Sequence, residues 1–160
     1  MSEFTHIDKQ NRPAMVDISG KAASHRTAVA QSIVQVDSHI FGLLTDGEIH
    51  SKKGPVFQTA SLAGIMAAKK TGELIPLCHS LPLNHCQVEI EPIENQQVRI
   101  TCTASTDHKT GVEMEALTGV AVASLTLYDM CKALSHDIRI LETRLLSKTG
   151  GKRDFKADCP

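Results

Sequence analysis

Residues 108–134 read HKTGVEMEALTGVAVASLTLYDMCKAL, a polar glycine-containing loop that runs into the longest helical pattern of the chain. Apolar or small residues at Leu117, Val120, Ala121, Ser124, Tyr128, Cys131 and Leu134 recur every three or four positions, which marks a helix with a buried face. A second stripe, Glu115, Thr118, Val122, Leu125, Asp129 and Lys132, is apolar in its middle and charged at both ends. That pattern predicts a helix packed on two sides, with polar work at its ends. Glu113 and Glu115 also complement a helix N-terminus and Lys132 a C-terminus, so dipole matching alone accounts for part of the pattern. Asp129 stands on the unfavourable side of that dipole, with Lys132 three residues on to offset it. Glu115 and Asp129 are 14 residues apart, or roughly 21 Å along a helix. Either a long ligand spans the two ends or two chains contribute to one site.

Working outward, the 160-residue length suits one domain over 1–160 with a core that needs neither disulfides nor metal, with 1–13 and 149–160 expected to be flexible. The net charge of −1 argues against a general nucleic-acid binder. Five cysteines without a CxxC pair point to a reducing compartment. The N-terminal residues lack the apolar core of a secretory signal, and the longest apolar run is too short to span a bilayer, so a soluble cytoplasmic protein with no membrane partner is expected.

Before the long helix, RTAVAQSIVQV (26–36) alternates as a strand, and Asp37 or Ser38 can cap a short helix ending at Gly47. EIHSKKG then forms a basic loop, and PVFQTASLAGIMAAKKTG a helix with Pro55 in its first turn and Gly72 at its end. ELIPLCHSLPLNH (73–85) is apolar but broken by Pro76 and Pro82, an irregular segment of a kind that often carries function. Val88 and Ile90, then Val98, Ile100 and Cys102 across an ENQQ turn, make a hairpin, and residues 138–146 a last strand. The order predicts an α+β, ferredoxin-like sandwich: an antiparallel four-stranded sheet with helices on one face and an extra helix in the first crossover. The uncovered face makes self-association a reasonable expectation.

Basic residues gather in loops and at termini, among them Lys21, Arg26, Lys53, Lys132, Lys148 and Lys152, which suits an anionic ligand, although single lysines are usually only solvated. KTGGK (148–152) lacks the spacing of a phosphate loop. Cys78, His79, His85 and Cys86 offer metal-ligand atoms at a spacing foreign to zinc sites, so no metal ligands are assigned. Asp129 and Lys132, one turn apart, form a plausible acid–base pair.

The blocks IPLCHSLPL, KTGVEMEALTGV, LYDMCKAL and RLLSKTGGK, in this order over nearly the whole chain, closely resemble the cyclic pyranopterin monophosphate synthase family, the molybdenum cofactor biosynthesis protein C family. The resemblance implies a cytoplasmic homohexamer, a trimer of dimers with active sites at the dimer interface. It also implies conversion of the 3′,8-cyclised dihydro-GTP intermediate to cyclic pyranopterin monophosphate with release of pyrophosphate. No cofactor is required; a divalent cation such as magnesium is compatible with the substrate phosphates. By motif match Asp129 is the central acid–base residue, Lys132 its partner and Lys53, chosen over Lys52 because it precedes the glycine, the second catalytic lysine. Leu77, Cys78, His79, Glu113, Met114 and Glu115 hold the substrate, and Lys21, Arg26 and Lys148 grip the triphosphate. Ser80 stands where the family commonly has proline, and the tail GGKRDF is shortened, which leaves Lys152 and Arg153 unassigned.

Three other classes compete. A ligand sensor would use the same basic loops without needing Asp129. A metal-dependent hydrolase would rest on the Cys/His segment. An RNA-binding module of this sheet type would display stacking aromatics, and the chain has one Tyr, four Phe and no Trp.

Overall fold

A computed structural model of the chain describes residues 6–8, 10 and 12–158. Its elements are β1 (Ser24–Gln35), α1 (Ser38–Phe41), β2 (Leu44–Thr45), β3 (Glu48–Ser51), β4 (Gly54–Pro55), α2 (Val56–Lys69), α3 (Thr71–Leu74), β5 (His85–Ile93), β6 (Gln97–His108), α4 (Glu113–Cys131), β7 (Arg139–Thr149) and β8 (Phe155–Lys156). The protein is a mixed α/β structure built on antiparallel sheets. The main sheet runs β5-β6-β1-β7-β8. The alternation in β1 has its expected effect: Ala28, Ala30, Ser32 and Val34 are buried, opposite Ala104, Cys102, Ile100 and Val98 of β6. Helices α2 and α4 lie against these strands and each other. Their backbones approach closely because both carry glycine at the crossing. A Cβ on Gly64 would meet the Gly119 carbonyl at 2.8 Å, and one on Gly119 would meet Cys102 Sγ at 2.8 Å.

Several expectations are corrected. The sheet has five strands rather than four, because β8 pairs with Ser147 and Lys148 of β7. The tail segment 149–160, expected to be flexible, therefore carries a strand; residues 159 and 160 lie outside the described residues. The expected flexible arm falls partly on residues 1–5, 9 and 11, also outside them; within it, Ile7 bridges Pro13. Asp37 does cap α1, accepting from the Ile40 N–H at 2.8 Å, but the helix stops at Phe41 instead of near Gly47. The basic loop after it is a three-stranded meander, β2-β3-β4, whose turns use positive φ at Asp46, Gly47 and Gly54. Gly72 does not end α2. Thr71, buried, donates its hydroxyl to the Ala68 carbonyl at 2.9 Å, and Gly72 sits inside α3, where a side chain would collide with Ser80.

The buried face of α4 is Glu115, Ala116, Gly119, Val120, Ala123, Ser124, Leu127, Met130 and Cys131. The stripe expected from sequence holds at Val120, Ser124 and Cys131, but Leu134 is exposed. The second stripe is not packed in its middle within the chain: Leu125 is 59% exposed. The reason is geometric, since the sheet and α2 cover adjacent sides of α4 and leave the third open. Among the described residues no helix is long and apolar enough to cross a membrane.

Candidate active site

The meander and the last turn of α4 bring three charged side chains together. Turn 51–54 is held by Ser51, whose hydroxyl accepts from the Lys53 N–H at 3.1 Å and donates to the Gly54 carbonyl at 3.0 Å. This aims Lys53 at α4. Lys53 Nζ lies 3.2 Å from Asp129 Oδ2, and Lys132 Nζ, at the helix C-cap, 2.7 Å from Oδ1. One carboxylate thus bridges two ammonium groups, each about half exposed. Lys132, and after it Lys53, hold the Asp129 carboxyl below the usual carboxylate range, while Asp129 pushes the Lys132 ammonium up. In the resting arrangement the aspartate is ionised and the lysines are donors. An anionic ligand that drew the lysines away would leave Asp129 a stronger base.

The scaffold of the cluster rests on Glu48. Buried at the start of β3, it accepts from the Phe57 N–H at 2.8 Å, the Gln58 N–H at 3.1 Å and the Ile49 N–H at 2.7 Å. Its carboxylate supplies the cap that Pro55, with no suitable side chain, cannot give α2. Sequence reading missed it, because the cap comes from nine residues upstream of Phe57 instead of the position before the helix.

At the opposite end of α4 lie two adjoining cavities that share Thr110, Gly111 and Glu113. The larger, about 510 Å³, is lined by Lys21, Arg26 and Lys148 and also by Lys109, Lys152 and Arg153. Lys148 Nζ pairs with Glu113 Oε1 at 2.8 Å. Arg26 is braced by the carbonyl of His108, to which its Nε donates at 2.9 Å, and by that of Lys109 at 3.3 Å. The Glu113 carboxylate lies over Gly111, where a Cβ would come within 1.9 Å of Oε2 and make the carboxylate shift. The smaller cavity, about 130 Å³, is lined by Leu77, Cys78, His79, Met114 and Glu115. Burial pushes the Glu115 carboxyl up to about 7, with the charge of Glu113 adding to the effect. Burial, followed by the charge of Glu115, raises the Cys78 thiol.

The twelve residues proposed from sequence therefore fall into two groups: Lys53, Asp129 and Lys132 at the C-terminal end of α4, and the other nine around its N-terminal end. Within one chain the groups do not meet, for they are separated by most of a 19-residue helix. The four Cys and His candidates for metal are also split: Cys78 and His79 line the smaller cavity, His85 and Cys86 a different one of about 330 Å³. Among the described residues no group of three or more His, Cys, Asp or Glu is placed to hold a metal ion. Lys109 was not singled out from sequence, although it belongs to the same polar loop, HKTG, that opens the long helix.

Comparison with known proteins agrees with the blocks that the sequence displays. The chain is 53% identical, over 94% of its length and 45% of the other protein's, to a molybdenum cofactor biosynthesis bifunctional protein of Synechocystis sp.. It is 51% identical to a cyclic pyranopterin monophosphate synthase of Xanthomonas oryzae pv. oryzae, over 98% of its own length and 94% of that protein's. With molybdenum cofactor biosynthesis protein 1 of Dictyostelium discoideum the identity is 49%, across 94% of the chain and 27% of that protein. The family model described as the MoaC family matches residues 15–151, which takes in both ends of α4 and every residue of the two groups, and the chain belongs to that family.

Proposed function

We propose that this chain is a cyclic pyranopterin monophosphate synthase of molybdenum cofactor biosynthesis, acting in the cytoplasm on the 3′,8-cyclised dihydro-GTP intermediate. The names of the relatives support the activity. The observation that carries the chemical reading is the Asp129 carboxylate between Lys53 and Lys132. Closing a cyclic phosphate requires a substrate hydroxyl to attack the α-phosphorus: an O–P bond forms, the bond to the β-phosphate oxygen breaks, pyrophosphate leaves, and the hydroxyl proton passes to a base. Asp129 is that base once the lysines have turned to the substrate. Lys132 and Lys53 donate protons or charge-assisted hydrogen bonds to the departing phosphates. The rearrangement and the cyclisation balance without an oxidant or reductant.

Glu113 and Glu115 accept from the amino and ring N–H groups of the guanine-derived part, beside Leu77, Cys78, His79 and Met114, while Lys21, Arg26 and Lys148 hold the triphosphate. This division of labour requires the two ends of α4 to serve one substrate, which a single chain cannot arrange across roughly 21 Å. The active site is therefore shared: the Asp129 end of one chain faces the Glu113 end of another, in a dimer that builds a homohexamer as a trimer of dimers. The exposed apolar side chains of Leu62, Met66 and Leu125 are consistent with such burial between copies. We read the order of the four long strands with α2 and α4 as ferredoxin-like.

Lys53 and Lys132 contact the same Asp129 within one chain, so they belong to the same half-site. Complementation should pair opposite halves. Asp129→Asn and Lys148→Ala, each inactive alone, should regain turnover when their chains are mixed and exchanged, as measured by pyrophosphate release and pterin formation. Mixed Lys53→Ala and Lys132→Ala chains should stay inactive. Recovery in the second mixture and none in the first would overturn the shared-site reading, and absence of pterin product from the wild-type oligomer would overturn the synthase reading.

A further inference from the structure

The larger cavity holds more positive charge than its assigned residues supply. Six cations line it against one carboxylate, Glu113, already paired with Lys148. Several of them are committed: Arg26 to the carbonyls of His108 and Lys109, Lys109 to the Ser19 carbonyl at 2.8 Å, Lys148 to Glu113. Lys21 is uncommitted, and so are Lys152 and Arg153. Among the described residues none of the three makes an ion pair or a side-chain hydrogen bond.

The backbone of Lys152 and Arg153, in contrast, is fastened. The segment that carries them leaves β7 and returns as β8, whose Phe155 pairs with Lys148. Gly150, at φ +81, packs so closely on β1 that a Cβ would lie 1.8 Å from the His25 carbonyl oxygen. Ser24 Oγ donates to the Gly150 carbonyl at 2.8 Å, and the Gly150 N–H donates to Asp154 Oδ1 at 3.1 Å, closing the turn. Two free cationic side chains on an anchored turn at the rim of a cationic cavity can contact a ligand without folding around it, which limits the ordering cost of binding.

Resting on the synthase reading above, we propose that turn 150–154 is a clamp that measures the length of a polyphosphate chain. Lys152 and Arg153 contact the terminal phosphates, beyond the reach of Lys21, Arg26 and Lys148, and hold the pyrophosphate before it departs. A triphosphate ester carries roughly four negative charges near neutral pH, close to two of them on its terminal phosphate. The terminal phosphates are therefore where two added cations matter most, and a single phosphate gains little from them.

The test is calorimetric titration of the intact oligomer with inorganic triphosphate, pyrophosphate and phosphate. The wild type should bind them in that order of decreasing affinity. The Lys152→Gln/Arg153→Gln double variant should lose about 10- to 100-fold for triphosphate while phosphate changes by less than about 3-fold. Lys156→Gln, which removes a charge from β8 outside the cavity, should keep the wild-type length dependence. Thermal melting controls for folding, and Arg153→Gln alone gives the same reading at smaller amplitude if the double variant unfolds. Equal losses for all three anions, or none for triphosphate, would overturn the clamp. If the wild type turns over but its variants bind like wild type, the clamp fails and the synthase reading stands. Length discrimination that the variants abolish, in a protein forming no pterin, would uphold the clamp and overturn the synthase reading.

Discussion

Glu115→Gln should stabilise the protein above neutral pH and change it little near pH 4.5. Glu115 is 3% exposed, and desolvation lifts its carboxyl from an ordinary 4.5 to about 7, helped by the charge of Glu113 and opposed by its own backbone N–H. In the unfolded chain the group keeps its ordinary value. Between those values the folded state binds the extra proton, so stability falls as pH rises from 4.5 and the full cost of the buried charge is present above 7. At about 1.36 kcal/mol per pKa unit the ceiling is about 3 kcal/mol. Glu115 also lines two cavities, so its burial is incomplete on that side and a gain of roughly 1–3 kcal/mol is expected after screening. Glutamine has the shape of the protonated acid and removes the ionisation. Urea unfolding of wild type and variant at fixed protein concentration, at pH 4.5 and pH 8, reads the difference. A gain of equal size at both pH values, or a larger one at pH 4.5, would refute the reasoning. The same displacement brings the Glu115 carboxyl toward neutral pH, so that it can accept from or donate to a ligand placed in the smaller cavity.

Glu48→Ala would leave the Phe57 and Gln58 N–H groups at the start of α2 without an acceptor, and should cost about 2–4 kcal/mol in the same urea assay. Because Glu48 ties the meander to α2, the variant should also lose turnover by loosening Lys53; an unchanged unfolding midpoint would show that the cap is dispensable. Asp129→Asn should lower turnover by about 10²- to 10⁴-fold with oligomer and melting temperature retained. Near-normal turnover in that variant would remove Asp129 from the mechanism.

Long elements were legible because their periods repeat enough times to be read. The alternation over 26–36 located β1, and Val88, Ile90, Val98, Ile100 and Cys102 located the β5–β6 hairpin, although both strands run longer than the clear alternation. The meander was not legible: strands of two to four residues hold at most two repeats, and their pairing depends on positive φ at Gly47 and Gly54. Strand β8 was hidden for the same reason. The stripe on α4 was displaced by part of a turn because Gly119 and Ala123, small enough to suit either face, are the contact residues with α2 and the sheet. For the candidate site, LYDMCK and KTGVEME carried the two ends of the long helix into view. Lys109, Lys152 and Arg153 escaped assignment because their meaning comes from lying across one cavity from residues far away in the chain, as Lys152 and Arg153 do from Lys21 and Arg26.

Helix α4 also acts as a ruler. The two residue groups are mounted on one helix, so their spacing within a chain is fixed, whereas in the proposed shared site the gap between cooperating halves is set by how one chain docks on the next. If the site is shared as proposed, any closing around substrate is a movement of subunits past each other, and dilution that parts the subunits should silence turnover.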